Sequence, residues 1–522
     1  MKGVKQLNTE QVDVAVAARG DDDGRLPRAR ASLVGVISVA AALAFGHLVA
    51  GVIDSNASPL LAVGKTAIDI TPKPIQDWAK ATFYTYDKLV LFIGMGLVLL
   101  GIAVAAGLVS RRSSTPGVII AVVIGIVGIV AVMVRPDVGQ LSVLAPVVSL
   151  VTGAGVFRLL HRRAYEIVDD ADRRKFLKVS VGVVAGVGVA GVAGQLLANR
   201  VDVEGSRTAV GALAPTTPAP PVPTGVDFSP ATPRFLTSNR DFYRIDTALT
   251  VPKLRAEDWA LRIHGAVDKE LTLRYEDIRQ RPLIERTITL ACVSNEVGGD
   301  LISTATFIGV PLRDILADAG VKPGADQLFS TSVDGFTCGT PVADVLDRGM
   351  LAIGMNGEPL PVEHGFPARM VVPGLYGYVS ATKWVVDMNF NKFTDANAYW
   401  IDRGWSQKAP IKTQSRIDSP HSQDTVKGTR VTVAGIAWAQ TRGIGKVEVR
   451  VDGGDWRPTQ LATEVTVDTW RMWKADLDIR PGDHTVECRA TDKTGYTQTQ
   501  DRADPAPNGA TGWDSRTFTV ST

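Results

Sequence analysis

Cys292 ends the run Thr289-Leu290-Ala291-Cys292-Val293, where an apolar stretch hands over to the polar, glycine-rich segment Ser294-Asn295-Glu296-Val297-Gly298-Gly299. A thiolate at such a junction suits a soft metal ion. The same residue type also serves as a small buried hydrophobe, used for packing rather than chemistry. The chain has three cysteines in 522 residues, too few for a disulfide framework. Cys338 and Cys488 are expected as buried thiols, with a bridge between them left open.

Downstream lies Gly357-Glu358-Pro359-Leu360-Pro361-Val362-Glu363-His364-Gly365-Phe366-Pro367-Ala368-Arg369, then Val372-Pro373-Gly374, Tyr376, Gly377, Tyr378 and Lys383-Trp384. Upstream is Asn239-Arg240-Asp241-Phe242-Tyr243. In order and chemistry these motifs resemble the sulfite oxidase family of molybdopterin enzymes. That family's pattern is a molybdenum-ligating Cys followed by Pro-Leu-Pro, His-Gly-x-Pro-x-Arg, Val-Pro-Gly and Lys-Trp. The resemblance runs from about residue 227 to the C-terminus.

It implies a molybdenum-molybdopterin cofactor with Cys292 as the protein's thiolate ligand, deprotonated by the metal itself. The pterin supplies two further sulfurs and ends in a phosphate dianion. Arg369 would meet that phosphate with a planar fork, Lys383 with a point charge and His364 with a ring proton. Asn239, Phe242 and Tyr243 would lie against the pterin, with Asn295 and Trp384 as further contacts. Each residue alone has an ordinary reading, as a salt bridge, a solvated charge, a turn histidine or core.

The stretch Tyr399-Trp400-Ile401-Asp402-Arg403-Gly404-Trp405 departs from the family. Sulfite oxidases place a Tyr beside the metal after the Lys-Trp motif, and here Trp405, without an ionisable hydroxyl, takes that place. Trp405 and Arg403 join Cys292 as the catalytic candidates, with Asp334 and Phe336 beside Arg403 at the substrate mouth. Sulfite itself is therefore not carried over as the small-molecule substrate.

Lys and Arg number 56 against 54 Asp and Glu, so no basic excess supports nucleic-acid binding. Five nearly uninterrupted apolar runs, 31–53, 89–110, 117–134, 141–160 and 179–198, are each long enough to cross about 30 Å of hydrocarbon in contact with membrane lipid. Arg25, Arg28 and Arg30 precede the first run, Arg111 and Arg112 follow the second, and Arg162, Arg163, Arg173 and Arg174 lie between the last two. Placing these clusters in the cytoplasm sends everything after Ala198 outside. The segment Asp172-Arg173-Arg174-Lys175-Phe176-Leu177-Lys178 resembles an internal twin-arginine export signal, which suits cargo folded around its cofactor before translocation.

Of the histidines, only His47 lies inside an apolar run and His161 at an edge, so a haem with two axial histidines is not expected there. A quinone or a separate haem protein is left as electron partner.

The expected fold class is multi-domain. A cytoplasmic N-terminus, 1–30, precedes a helical membrane domain of five spans, 31–198, with the twin-arginine motif at 173–178. A Pro-rich linker, 199–227, reads as an extended tether. An α+β molybdopterin domain, 228–407, mixes short β-branched runs with helical pieces. Period-two strands fill 408–522, separated by turns such as Asp452-Gly453-Gly454, as in an all-β immunoglobulin-like sandwich; the resemblance implies homodimerisation through it. The expected function is two-electron oxygen-atom transfer on a small oxyanion or an S- or N-oxide, by a multi-pass protein of the cytoplasmic membrane with its catalytic domain outside. The alternative is a tethered, non-catalytic binding module with a relic molybdopterin domain.

Overall fold

A computed structural model describes residues 24–522 apart from 73, 74, 76, 77, 80, 81, 84, 85, 136 and 137. Most of the expected N-terminal segment, residues 1–23, thus lies outside the described residues, as does part of the connection 54–88. The chain divides into two compact units, Met1–Val201 and Asp202–Thr522.

In the first unit five helices are long and apolar enough to cross a membrane. They span Arg28–Ile53, Asp87–Val109, Thr115–Met133, Leu144–Tyr165 and Asp170–Ala198. The first buries a stripe of small residues, among them Gly35, Ser38, Ala41, Gly46 and Ala50. Glycine there lets backbones touch: a Cβ on Gly35 would sit 1.9 Å from Ala103 O, and one on Gly107 2.0 Å from Ala31 O. Such contacts suit helices that gain little from hiding apolar side chains and must instead fit closely. A further amphipathic helix, Pro59–Ile70, was not foreseen.

The last long helix starts earlier than expected, because Asp169 caps it by accepting the Asp172 N–H at 2.8 Å, and Lys175 pairs with Asp172 at 3.1 Å. The Arg173–Lys178 motif is therefore part of the last long helix.

In the second unit one sheet has the order β2-β1-β10-β5-β6, built from β1 (Ala260–Gly265), β2 (Leu271–Arg274), β5 (Gln327–Ser332), β6 (Thr337–Pro341) and β10 (Val385–Asn391), with β1 and β10 parallel. A second has the order β3-β4-β7-β8, from β3 (Ile284–Ala291), β4 (Ile302–Pro311), β7 (Met350–Met355) and β8 (Glu358–Pro359), with β9 (Arg369–Val371) on β7. All ten residues of β4 and all six of β7 are buried, so both faces of this sheet are covered; β7 reads as a continuous apolar run, while β4 also buries Ser303, Thr304 and Thr306.

The C-terminal part is a pair of sheets, β11-β13-β17-β16 and β12-β19-β18-β14-β15. The strands are β11 (Gln414–Ser419), β12 (Thr425–Lys427), β13 (Arg430–Trp438), β14 (Ile444–Val451), β15 (Arg457–Pro458), β16 (Gln460–Leu461), β17 (Arg471–Asp478), β18 (Gly482–Asp492) and β19 (Asp514–Ser521). Alternate residues of both sheets, such as Val431, Val433 and Trp473 from one and Val447, Val449, Val486 and Phe518 from the other, fill a common core.

The Pro-rich segment is not a bare tether. It opens with a helix, Val203–Val210, whose Arg207 donates to Pro359 O and Leu360 O at 2.9 Å each and pairs with Glu358 at 2.9 Å. Thr217 then forms a parallel bridge to Ile284, and Thr463 N donates to Gly225 O. Proline cannot donate to a ladder, but its neighbours' polar groups hold this stretch against the folded unit. Cys338 and Cys488 are buried thiols in different domains, not bridged.

Candidate functional site

The site is built on the hairpin connection between β3 and β4. Cys292 follows β3 directly, its N–H donating to Leu301 O at 2.9 Å. Asn295 closes the loop: its Oδ1 accepts from Leu301 N at 2.9 Å and its N–H donates to Cys292 O at 3.1 Å. Asn295 is thus a loop-shaping residue. Cys292 is half-buried, the other two thiols fully buried.

Tyr243 reaches the same place from the N-terminal segment of the unit, anchored by its N–H to Ser303 Oγ at 3.1 Å and stacked on Phe242. Burial, and then the neighbouring Cys292 charge, push its hydroxyl well above the usual tyrosine range, while Arg369 pulls the other way. Tyr243 therefore lies within electrostatic reach of both Cys292 and Arg369. Phe242 meets the His364 ring edge-on at 5.4 Å.

Arg369 starts β9 and is 5 % exposed. Its Nη1 donates to His364 O at 3.1 Å, but its Nε, buried, has no partner. Burial lowers its pKa to about 10. A buried guanidinium with no carboxylate beside it is costly unless an anion arrives. Gly365, at φ +113°, makes this turn possible: a Cβ there would lie 3.1 Å from Arg369 Cβ and 3.2 Å from Lys383 Cβ.

Other expected site residues have different neighbours from those anticipated. His364 Nε2 lies 2.9 Å from Asn239 O, and since a carbonyl only accepts, Nε2 carries the proton and donates it there. Burial, then the charge of Arg369, lower its pKa, favouring the neutral ring. The ring proton expected for a phosphate is thus engaged within the protein. Lys383 pairs with Asp246, donates to Glu363 O at 3.1 Å and lies over the Trp384 ring, so it is not an open point charge. Asp246, 137 residues away in sequence, could not be matched to it by local pattern. Trp384 is buried, its indole N–H on Val362 O at 2.9 Å, and reads as core. Asn239 donates to Glu358 and accepts from Asn356.

Trp405 and Arg403 belong to an aromatic cluster. Trp405 lies 5.8 Å from Tyr378 and 6.2 Å from Trp400, and Arg403 stacks 3.6 Å over Tyr399. Phe336 joins at Tyr399, 5.9 Å away. Asp334 caps its own turn by accepting from Phe336 N at 3.2 Å. The sequence reading gave no role to Tyr376, a buried residue whose hydroxyl is pushed up to about 12 by burial, with the Cys292 charge adding to the rise. Phe307, under the Arg369 guanidinium at 5.7 Å, was also missed; its place in a wholly buried strand was the only signal.

Among the described residues no three His, Cys, Asp or Glu side chains gather as a metal cage. A metal at Cys292 would take its other donors from a cofactor. The buried Arg369 Nε, with Tyr243 in electrostatic reach of both its charge and that of the thiol, fits an anionic, metal-carrying organic group.

The comparisons agree with this chemistry. Residues 248–400 match the oxidoreductase molybdopterin binding domain family, and residues 406–504 the Mo-co oxidoreductase dimerisation domain family. The chain is 30% identical over 329 residues to the mitochondrial sulfite oxidase of Homo sapiens, covering 53% of this chain and 59% of that protein. It thus spans under two thirds of that relative's length. It is 36% identical over 151 residues to the uncharacterized oxidoreductase YuiH of Bacillus subtilis, covering 29% of this chain and 73% of YuiH. Among solved structures, the sulfane dehydrogenase SoxCD of Paracoccus pantotrophus aligns with a TM-score of 0.48 at 25% identity, over 56% of this chain and 84% of that one.

Proposed function

As the chain belongs to the sulfite oxidase family of molybdopterin oxidoreductases, we propose that it is a membrane-anchored molybdenum enzyme performing two-electron oxygen-atom transfer on a small oxyanion or an S- or N-oxide. The observation that carries this reading is the buried Arg369 guanidinium, whose Nε has no partner among the described residues, with Tyr243 within electrostatic reach of both it and the Cys292 thiol. When bound, the cofactor would supply the metal and the oxygen-transfer chemistry.

The chain's own residues do the rest. Cys292 ligates through its thiolate, Arg369 meets the phosphate of the pterin, and Phe242, Tyr243 and Asn239 wall the pterin pocket. His364, neutral and fixed by Asn239 O, holds the Arg369 turn by offering it a carbonyl. Tyr243 and Tyr376, protonated at neutral pH, keep hydroxyl protons beside the metal ligand without adding negative charge. Trp405 and Arg403 line the substrate side.

Five long apolar helices support a multi-pass location in the cytoplasmic membrane. The arginine clusters support a catalytic unit outside, and Arg173-Arg174 before Phe176-Leu177-Lys178 supports twin-arginine export. The C-terminal sandwich, immunoglobulin-like in this reading, would form a homodimer, as the name of its matching family suggests. A quinone or a haem protein would exchange electrons with the site.

Metal and pterin analysis of the purified protein, with turnover on sulfite and on sulfoxides, tests the assignment. Wild type is expected to hold one molybdenum per chain, and Cys292→Ser to reach the membrane folded with turnover down by at least about a thousandfold. A Cys292→Ser protein as active as wild type overturns the ligation. A wild type purified without molybdenum or pterin favours the non-catalytic module.

A further inference from the structure

The loop bearing Cys292 is closed at its base by its own hairpin, through Cys292 N to Leu301 O and Leu301 N to Asn295 Oδ1. Its tip is held by a different domain. Arg416 Nη1 donates to Gly299 O at 2.8 Å, and Arg516 Nη2 donates to Gly298 O at 3.0 Å. Arg416 comes from β11 and Arg516 from β19, one from each sheet of the sandwich.

A carboxylate steers each guanidinium. Asp418 Oδ1 holds Arg416 at 2.8 and 2.7 Å, and Asp514 Oδ2 holds Arg516 at 3.1 Å while accepting the Ile417 N–H at 2.8 Å. Asp514 is buried and the Arg416 side chain is nearly so. Gly298 stands at φ +79°, and a Cβ there would come within 2.4 Å of Asp514 Oδ1 and 2.8 Å of Arg516 Nη2. The clamp closes on bare backbone.

Charged donors on backbone carbonyls are the stronger kind of hydrogen bond. A thiolate ligand has to be held within about half an ångström of its working position. The domains are also joined outside the loop, along β3 by Arg286 with Asp468 at 3.0 Å and Gln440 with Thr289 O at 3.1 Å, and by the Trp470 indole with Phe235 O at 2.9 Å. Holding the domains together therefore does not require the two arginines.

We infer that Arg416 and Arg516 are positioning residues: through the Gly298–Gly299 carbonyls the sandwich sets where Cys292 Sγ stands. This rests on Cys292 being the metal ligand.

The test uses the full chain in detergent, as Arg416→Gln, Arg516→Gln, their double variant and Gly298→Ala, with Arg516→Lys as the conservative variant and Arg286→Gln as a control that breaks another interdomain pair. Protein made in a host unable to build the pterin is alkylated with iodoacetamide; Cys338 and Cys488 are 0 % exposed, so Cys292 alone reports. Loaded protein is examined for molybdenum content and for its thiolate-to-metal absorption band. Expected are alkylation about tenfold faster in the double variant, a displaced absorption band, partial recovery in Arg516→Lys, and wild-type behaviour in Arg286→Gln. Alkylation rate and band unchanged in the double variant and in Gly298→Ala overturn the inference, as does an equal effect of Arg286→Gln. A wild type without molybdenum would instead sink the functional reading, and the alkylation rates would still decide the clamp.

Discussion

In the helical unit many large side chains face outward, with Leu97, Val181 and Val189 each more than three-fifths exposed, while glycine, alanine and serine lie between the helices beside a few large residues such as Phe157, Leu160 and Phe176. In the second unit Trp259, Phe307, Phe366 and Trp473 are fully buried. Charge is arranged just as differently. The long helices keep their arginines at the ends, whereas the second unit encloses Asp492, Asp514 and Arg369. An apolar exterior over an interior rich in small residues fits a hydrocarbon solvent, where helices associate by close fit; an aromatic-rich interior fits water, where burial itself drives folding. Buried charge is tolerated only where a partner answers it, and at Arg369 no acid among the described residues does.

The sharpest way to break this contrast is to enlarge a residue on each face of the helical unit. Gly35→Leu would drive a side chain into Ala103 backbone and is expected to cost more than about 3 kcal/mol, seen as collapse of thermal stability in micelles. Val189→Leu, on the outward face, should leave the melting temperature within a degree or two of wild type. Equal effects at both positions would dissolve the distinction between inside and outside.

Arg369→Gln probes a buried cation that has no acid beside it among the described residues. Loaded protein should bind molybdenum and pterin about 10–100-fold more weakly. The cofactor-free fold should be as stable as wild type or more so, because an uncompensated charge has gone. Loss of stability in the empty fold would mean that Arg369 is structural.

Asp492 is the opposite case. Burial alone would raise its pKa, but the hydroxyls of Thr494 and Thr413 and the Arg442 guanidinium outweigh burial and hold it at about 2. Its folded value lies below the unfolded one, so its contribution is fully present above the ordinary carboxylate range and disappears as pH falls towards 2. Denaturant titrations between pH 5 and pH 2.5 should show this slope in wild type and a shallower one in Asp492→Asn, the smallest of these effects.

The apolar runs and the period-two strands were legible because periodicity and length are local: the segment 484–490 alternates within Gly482–Asp492, and the long helices announce themselves by composition. The place of Cys292 just past a strand was legible because the change from apolar run to glycine-rich loop marks the end of β3. What stayed hidden was pairing across long stretches of chain. Nothing near Lys383 foretells Asp246, nothing near Gly298 foretells Arg516, and His364 gives no sign that Asn239 O will take its proton. Composition also misled at 199–227, where prolines suggested a loose spacer and Arg207, Leu213 and Thr217 turned out to be seated on the fold.

That seating decides where the soluble half could be separated from the helices. Leu213 fills the hollow over Gly354, and Arg207 ties down the strand end that leads to His364. A secreted fragment beginning at residue 228 would leave that hollow wet and that turn unfastened, while one beginning at Asp202 keeps both; the seam for engineering is the end of the last long helix, not the end of the prolines.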